Sequence, residues 1–483
     1  MRRNHLSNKL ILLMLLGLFS CESLVDNMNT DLNNPTDASA TLLLTAAELG
    51  NVSVQEGHLA RVASMWSGYF TGSDRQYKDI YNYNVTGASF NDVWQFVYQS
   101  VVEQTQLIIE KSEASNNRLM QGIAKVITAN ALGTATACWG DIPFSEAADI
   151  EKFPNPAFES QTVVYGKLQA LLDEAIADLE SGAGTSPGVA DIHFGGDSDK
   201  WKMAAYSLKA RFFMETKEYA LAAAAAEKGI NAPGASWVMY HGNTLNVNEN
   251  LMYAYIARNR VGDVDASLAL VPNLLNPGSA TYKGNAKTDE TARYKYQYMT
   301  VNASGSAIPV TPNTSSTTTA RGLFGQTTSY PMVSYSETLL TAAEAAARTK
   351  GFDEGLAKLN LYRAYLNGGG DLDATYKSAY TFKYEPYVEA DFEPGGMLNP
   401  DNMSAQSALL KEILMERYVS FNGQIIGFND LRRTRNEAEG VQLQPATGSS
   451  LPERMIYSEA EINSNTSAPN PVPGLFVPTA VNL

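Results

Sequence analysis

Residues 200–230 read KWKMAAYSLKARFFMETKEYALAAAAAEKGI. The stretch divides into helical segments at 200–216 and 218–230, with almost no loop between them. Ala222 to Ala226 is a run of small residues, which permits close helix contact. Tyr219 sits at the turn, with Ala222 three residues after it and Ala210 nine before it. The same spacing returns at 335–349 and 353–367. There Phe352 marks the turn, Gly355 follows at three and Ala343 precedes at nine. Small residues let two helices nest, and the aromatic ring plugs the open end of the pair.

This is the packing logic of tetratricopeptide units. The two units lie 133 residues apart, so they form no simple tandem array, and two unrelated αα-hairpins would share the pattern. Working outward, apolar spacing predicts helices at 41–49 and 60–69. Phe90, Trp94 and Tyr98 recur at the period of one helix face. They predict one helix over 91–112, with a second over 117–137. Pro143 cannot continue that second helix, because it lacks an N–H and its ring clashes. Further helices are expected at 163–179, 404–420 and 424–435. Helical pairs therefore fall at about 91–137, 163–230, 335–367 and 404–435. Residues 231–334, 368–403 and 436–483 are rich in Asn, Gly, Pro, Ser and Thr, yet carry many aromatics. They read as an ordered, loop-rich lobe on a mainly α scaffold. Trp94, Trp139 and Trp201 sit on helical patterns and are expected in the core.

The chain has 483 residues, enough at roughly 150 per domain for about three domains. Acidic residues outnumber basic ones by 51 to 36, giving −15. Such a chain is a poor polyanion binder, so no nucleic-acid partner is expected. The four histidines form no HExxH pattern, and no phosphate loop, dinucleotide fingerprint or GxSxG elbow occurs. No cofactor or metal is expected. The Asp197/Asp199 and Asp371/Asp373 pairs lack the Gly and late Glu of a calcium loop.

The first 20 residues read as a signal peptide. Arg2, Arg3 and Lys9 precede an apolar stretch at 10–19, too short to span a membrane. It ends Leu18-Phe19-Ser20-Cys21, which resembles a bacterial lipoprotein box. The expectation is cleavage before Cys21 and lipidation of that residue, with 21–40 as a tether. Removing three positive charges would take −15 to −18. Cys138, the other cysteine, then has no partner and is expected to be buried between Ala137 and Trp139.

Several pieces of the chain together resemble the SusD/RagB-like outer-membrane lipoproteins of Bacteroidetes, and within them the second, SusD-like subgroup. They are Asp31-Leu32-Asn33-Asn34-Pro35, Gly72-Ser73-Asp74-Arg75-Gln76-Tyr77, Ala131-Leu132-Gly133 with Trp139-Gly140-Asp141-Ile142-Pro143-Phe144, and Leu208-Lys209-Ala210-Arg211-Phe212. Pro331-Met332-Val333-Ser334-Tyr335-Ser336-Glu337 follows, then Glu416-Arg417 and Gly427-Phe428-Asn429-Asp430-Leu431-Arg432-Arg433. The resemblance covers nearly the whole chain. It implies a single domain over 41–483, built on tetratricopeptide-type pairs. It implies a lipid-anchored outer-membrane protein, facing the exterior, that captures oligosaccharides or peptides. The partner it implies is a SusC-like TonB-dependent β-barrel transporter. It implies no enzyme chemistry; a glycan hydrolase with two carboxylates is the competing reading.

A binder of polar oligomers needs aromatic platforms and directed hydrogen-bond donors. Residues 66–84 hold that mixture in what reads as a loop segment. Arg75 is the expected donor, and Tyr77 and Tyr81 the expected platforms, although Arg75 could instead fix the segment to the scaffold. Tyr294, Tyr296 and Tyr298 alternate with polar residues, which reads as a strand with its tyrosines on one face. That face could present Tyr296 to a sugar or could pack. Trp237, just after the turn at Ala232-Pro233-Gly234, could project from a loop. Glu416, Arg417, Arg432 and Arg433 are expected to cap the last helix pair or to pair with each other.

Overall fold

The computed structural model describes residues 38–300 and 310–483. The signal segment, Cys21 and nearly all of the tether lie outside the described residues. The first helix, α1 (Ala40–Glu56), starts at Ser39, whose hydroxyl accepts from Leu42 N. Gly57 ends it and opens α2 (His58–Trp66). The helix expected over 91–112 is one rod from Asn91 to Ala114. A π-helical turn at Phe96–Val102 interrupts it before its last part, α4 (Glu103–Ala114); the short α3 (Arg75–Tyr81) precedes the rod. Asn117 caps α5 (Arg118–Trp139), and Gly140, at φ 87°, stops it just before Pro143. A residue with a Cβ would be strained at that φ.

The pairs expected from spacing are present. They are α6 (Gln161–Glu180) with α7 (Ser198–Glu215), α8 (Tyr219–Ala226) against α7, and α10 (Tyr335–Thr349) with α11 (Phe352–Asn367), the last two following α9 (Thr291–Gln297). Helices α4 to α8 each pack on the next, α8 packs on α10, and α10 and α11 both meet α12 (Ala405–Ser420). Helix α13 (Ile425–Thr434) returns to pack on α2, α5 and α7. The stack is thus closed on itself by α13. At the α10–α11 pair, a Cβ placed on Gly355 would lie 2.7 Å from Ala347 Cβ, which shows why a small residue sits there. Trp94, Trp139 and Trp201 are all buried, as is Cys138. Burial pushes the Cys138 thiol up to about 12, so it stays protonated.

Among the described residues the strands are short antiparallel pairs. β1 (Trp237–Met239) pairs with β4 (Tyr330–Val333), and β2 (Tyr298–Thr300) with β3 (Val310–Pro312). They close the loop-rich lobe on itself, and β4 also packs on α1 and α7 of the helical stack.

Two expectations are corrected. The alternating tyrosines do not form a strand: Tyr294 and Tyr296 lie on α9, and only Tyr298 begins β2. Arg293 explains this. Its guanidinium donates to Glu290, three residues earlier, and to Glu416 at 3.1 Å. A buried ion pair at helical spacing outweighs a period-2 pattern of three residues. The segment at 75–81 is likewise a helix, with Tyr77 and Ile80 turned inward.

The charged pairs near the end of the chain divide among different partners. Arg417 and Arg433 share Glu344 and Asp430, with Arg433 Nη2 2.6 Å from Glu344 Oε2. Glu416 pairs with Lys283 and Arg293. Arg432 donates instead to the carbonyls of Ala137 and Glu453. These groups weld the last helix pair into the stack.

Candidate functional site

The five residues expected at a site scatter. Arg75 is partly exposed and adopts φ 48°. It is ion-paired to Asp263, and its Nη2 donates to Val261 O at 2.9 Å. It joins α3 to the lobe, which is the anchoring role its sequence setting left open. Tyr77 is 1% exposed, so neither ring face is open to a ligand. Its hydroxyl accepts from Arg61 Nε at 2.7 Å and lies 2.8 Å from His58 Nδ1. Tyr81 is half-buried against the core. Trp237 is wholly buried and does not project from a loop. It packs edge-on to Trp201, with ring centroids 4.9 Å apart. The reason is strand alternation: Trp237 and Met239 face inward, and Val238 between them faces the other way.

Val238 and Tyr296 meet at a cavity of about 210 Å³. The cavity lies where the lobe joins the α10–α11 pair. Its aromatic wall is Tyr296, Phe324, Tyr330, Tyr365 and Phe421. Phe324 and Phe421 are buried, whereas Tyr365 is half-exposed and offers the accessible ring. Tyr335 holds that ring edge-on at 5.2 Å.

The polar side of the cavity centres on Asp371, which follows three glycines at 368–370. Its carboxylate accepts from Ser336 Oγ at 2.5 Å and from Tyr365 OH at 2.7 Å. Ser336 lies in the first turn of α10, whose cap Ser334 also lines the cavity. Burial and the neighbouring Asp371 hold the Tyr365 phenol above its usual range, so it remains a donor. Asn422 is 3% exposed; its Nδ2 donates to Gln297 Oε1, and its Oδ1 has no hydrogen-bond partner. Gln424 adds a second amide. Aromatic faces beside fixed hydrogen-bonding groups can hold a ring that is apolar on its faces and polar at its edge.

Of the expected residues only Tyr296 reaches this cavity, and it does so from a helix. Tyr365, Ser336 and Asn422 gave no functional signal in sequence, and Asp371 stood out only as half of a rejected calcium pair. Their four positions span 87 residues and meet only through the packing of α10, α11 and the α12–α13 turn. Asp371 and Asp373 do not act as a pair. Asp373 caps the helix Ala374–Ala379 and binds Arg321. Among the described residues no cluster of three or more metal-ligating side chains occurs.

Comparison with known proteins bears on the whole chain. A family model, SusD-like_2, described as "Starch-binding associating with outer membrane", matches residues 32–457. No curated protein matches the chain in sequence. Solved structures with the same fold include a SusD/RagB family protein from Bacteroides thetaiotaomicron. It has a TM-score of 0.70 and 18% identity, covering 92% of this chain and 99% of that one. A SusD homolog from Bacteroides uniformis has a TM-score of 0.68 and 17% identity, covering 92% of this chain and 100% of that one. A chitin-binding protein has a TM-score of 0.63 and 20% identity, covering 88% of this chain and 94% of that one.

Proposed function

The chain belongs to the SusD-like family, whose model matches residues 32–457, and from that premise we propose that it binds oligosaccharide at the cell surface and passes it to a TonB-dependent outer-membrane transporter. In this reading Cys21 carries the lipid anchor, and the bound chain is released unaltered. Among the described residues no helix is long and apolar enough to cross a membrane. A lipid anchor would supply attachment where no such helix does.

The observation that carries the reading is the cavity at Tyr365 and Asp371, set in a fold of this family. Sugar rings present C–H faces that stack on Tyr365, and hydroxyls that donate to the Asp371 carboxylate. The family description names starch, and one relative of the same fold is called chitin-binding. Both are neutral polymers of glucose-type rings.

The test is a thermal-shift screen of the full chain in detergent against plant, fungal and host oligosaccharides beside a peptide pool. A ligand that binds only the folded state raises the melting temperature by mass action. A rise with one glycan class, abolished by Tyr365→Ala, supports the reading. A rise with peptides alone moves the protein to a peptide carrier. Product formation during incubation would make it a hydrolase.

A further inference from the structure

We propose that the cavity takes a single terminal ring of a neutral or amino-sugar chain and rejects acidic sugars; this rests on the binding role proposed above. Size is the first argument. At about 210 Å³ the cavity is smaller than pockets that enclose drug-sized ligands, roughly 300–1,000 Å³. Two spaces continue from its walls, of about 20 and 50 Å³. These are the scale of one or a few waters and admit no ring. Only Pro233 and Asp371 among the lining residues are exposed. They mark the exposed rim, and a space of this size behind it holds one ring rather than a run of them.

Polarity is the second argument. The group awaiting a partner is an acceptor. Asp371 keeps free lone pairs beyond those bound by Ser336 and Tyr365. A ligand that donates is favoured there. Hydroxyls and ammonium groups donate; carboxylates, sulfates and phosphates only accept. Charge is the third argument. No Lys or Arg lines the cavity. Arg293 borders the smaller neighbouring space, but Glu290 and Glu416 already engage it. An anionic sugar would therefore meet the Asp371 carboxylate with no counter-charge.

The test measures binding of the full chain by ligand-observed NMR and calorimetry. The probes are glucose, N-acetylglucosamine, glucosamine and galacturonate, with malto-, chito- and deacetylated chito-oligosaccharides from dimer to hexamer and oligogalacturonates. The expected result is binding of neutral or amino probes and none of the galacturonates. Affinity within the bound series should change by less than about threefold with length, because later rings lie outside the cavity. Asp371→Asn should weaken an amino-sugar probe about tenfold, the loss of one charge-assisted hydrogen bond. Its melting temperature should fall only slightly, since Asp371 lies at the exposed rim and Asn keeps one oxygen to accept from Ser336 or Tyr365.

Binding of a galacturonate, or affinity rising steadily with length, overturns the single-ring inference while leaving oligosaccharide binding intact. Binding unaffected by both Asp371→Asn and Tyr365→Ala places the ligand elsewhere and overturns the site itself. Silence across all probes while the peptide pool binds overturns both. A failure of every probe and the pool removes the inference as well, because a site of this chemistry must take at least one ring offered.

Discussion

Glu344 is fully buried, and three arginines converge on it: Arg433, Arg417 and Arg348. Burial raises its pKa, but the arginines, Arg433 foremost, outweigh burial and hold it near 2. Glu416 is held near 2 in the same way by Lys283 and Arg293. A carboxylate depressed from 4.5 contributes stability that is full above 4.5 and lost as pH falls toward 2. Two histidines, the buried His193 and the half-buried His58, act in an earlier window. Burial, with Arg61 beside it, lowers His58 from 6.5 to about 3, and burial lowers His193 to about 4. Their neutral forms belong to the folded state, so stability is full above 6.5 and falls below it. Melting temperature should therefore decline in two overlapping stages, the first beginning as pH falls below 6.5 and the second below 4.5. His58→Gln should flatten part of the first stage in a pH series of thermal melts. Glu344→Ala at pH 7 should cost about 3–5 kcal/mol in urea unfolding, because it strands buried arginines. These residues also show what sequence alone could resolve. Glu416-Arg417 and Arg432-Arg433 were legible as charges with a structural task. Asp430 lies close by, but their other partners Glu344, Lys283 and Arg293 lie far off in sequence and carry no local mark.

Helix packing depends on where side chains are missing. A Cβ on Gly133 in α5 would fall 2.2 Å from the ring of Phe212 in α7. Gly133→Ala should destabilise the fold by about 1–3 kcal/mol through overpacking. That exceeds the roughly 1 kcal/mol of helix propensity gained. Gly166 in α6 is the matched control. Nothing lies within 4 Å of its added Cβ, so Gly166→Ala should stabilise by up to about 1 kcal/mol. Chemical denaturation of the two variants reads both signs. The long helices were legible because a 3.6-residue period repeats over many turns. The short ones were not. Over 294–298 three alternating tyrosines imitate a strand, and the tie from Arg293 to Glu290 that makes the helix is a single pair at i, i+3. At 75–81 the polar residues read as loop, although Tyr77 and Ile80 already stood one helical turn apart. The cavity was the least legible of all, since Val238, Tyr296, Tyr365, Asp371 and Asn422 share no segment.

Across the whole molecule the two ends of the chain interlock. Tyr418 OH donates to Ser67 O, and Tyr69 OH donates back to Tyr418 O. Met455 N donates to Cys138 O, and Trp139 Nε1 donates to Ile456 O. The loop-like tail after 450 is thus a lid on the core of α5. Calorimetry of the full chain should show one cooperative transition. Ending the chain at residue 450 should abolish that transition and leave the α5 core open to limited proteolysis. The same interlock has a bearing on when the protein can fold. Helices α2 and α5 cannot complete their surroundings until the last seventh of the chain has left the ribosome. Until then the growing polypeptide lacks its closing partners: the lock of the fold is the last part to be made.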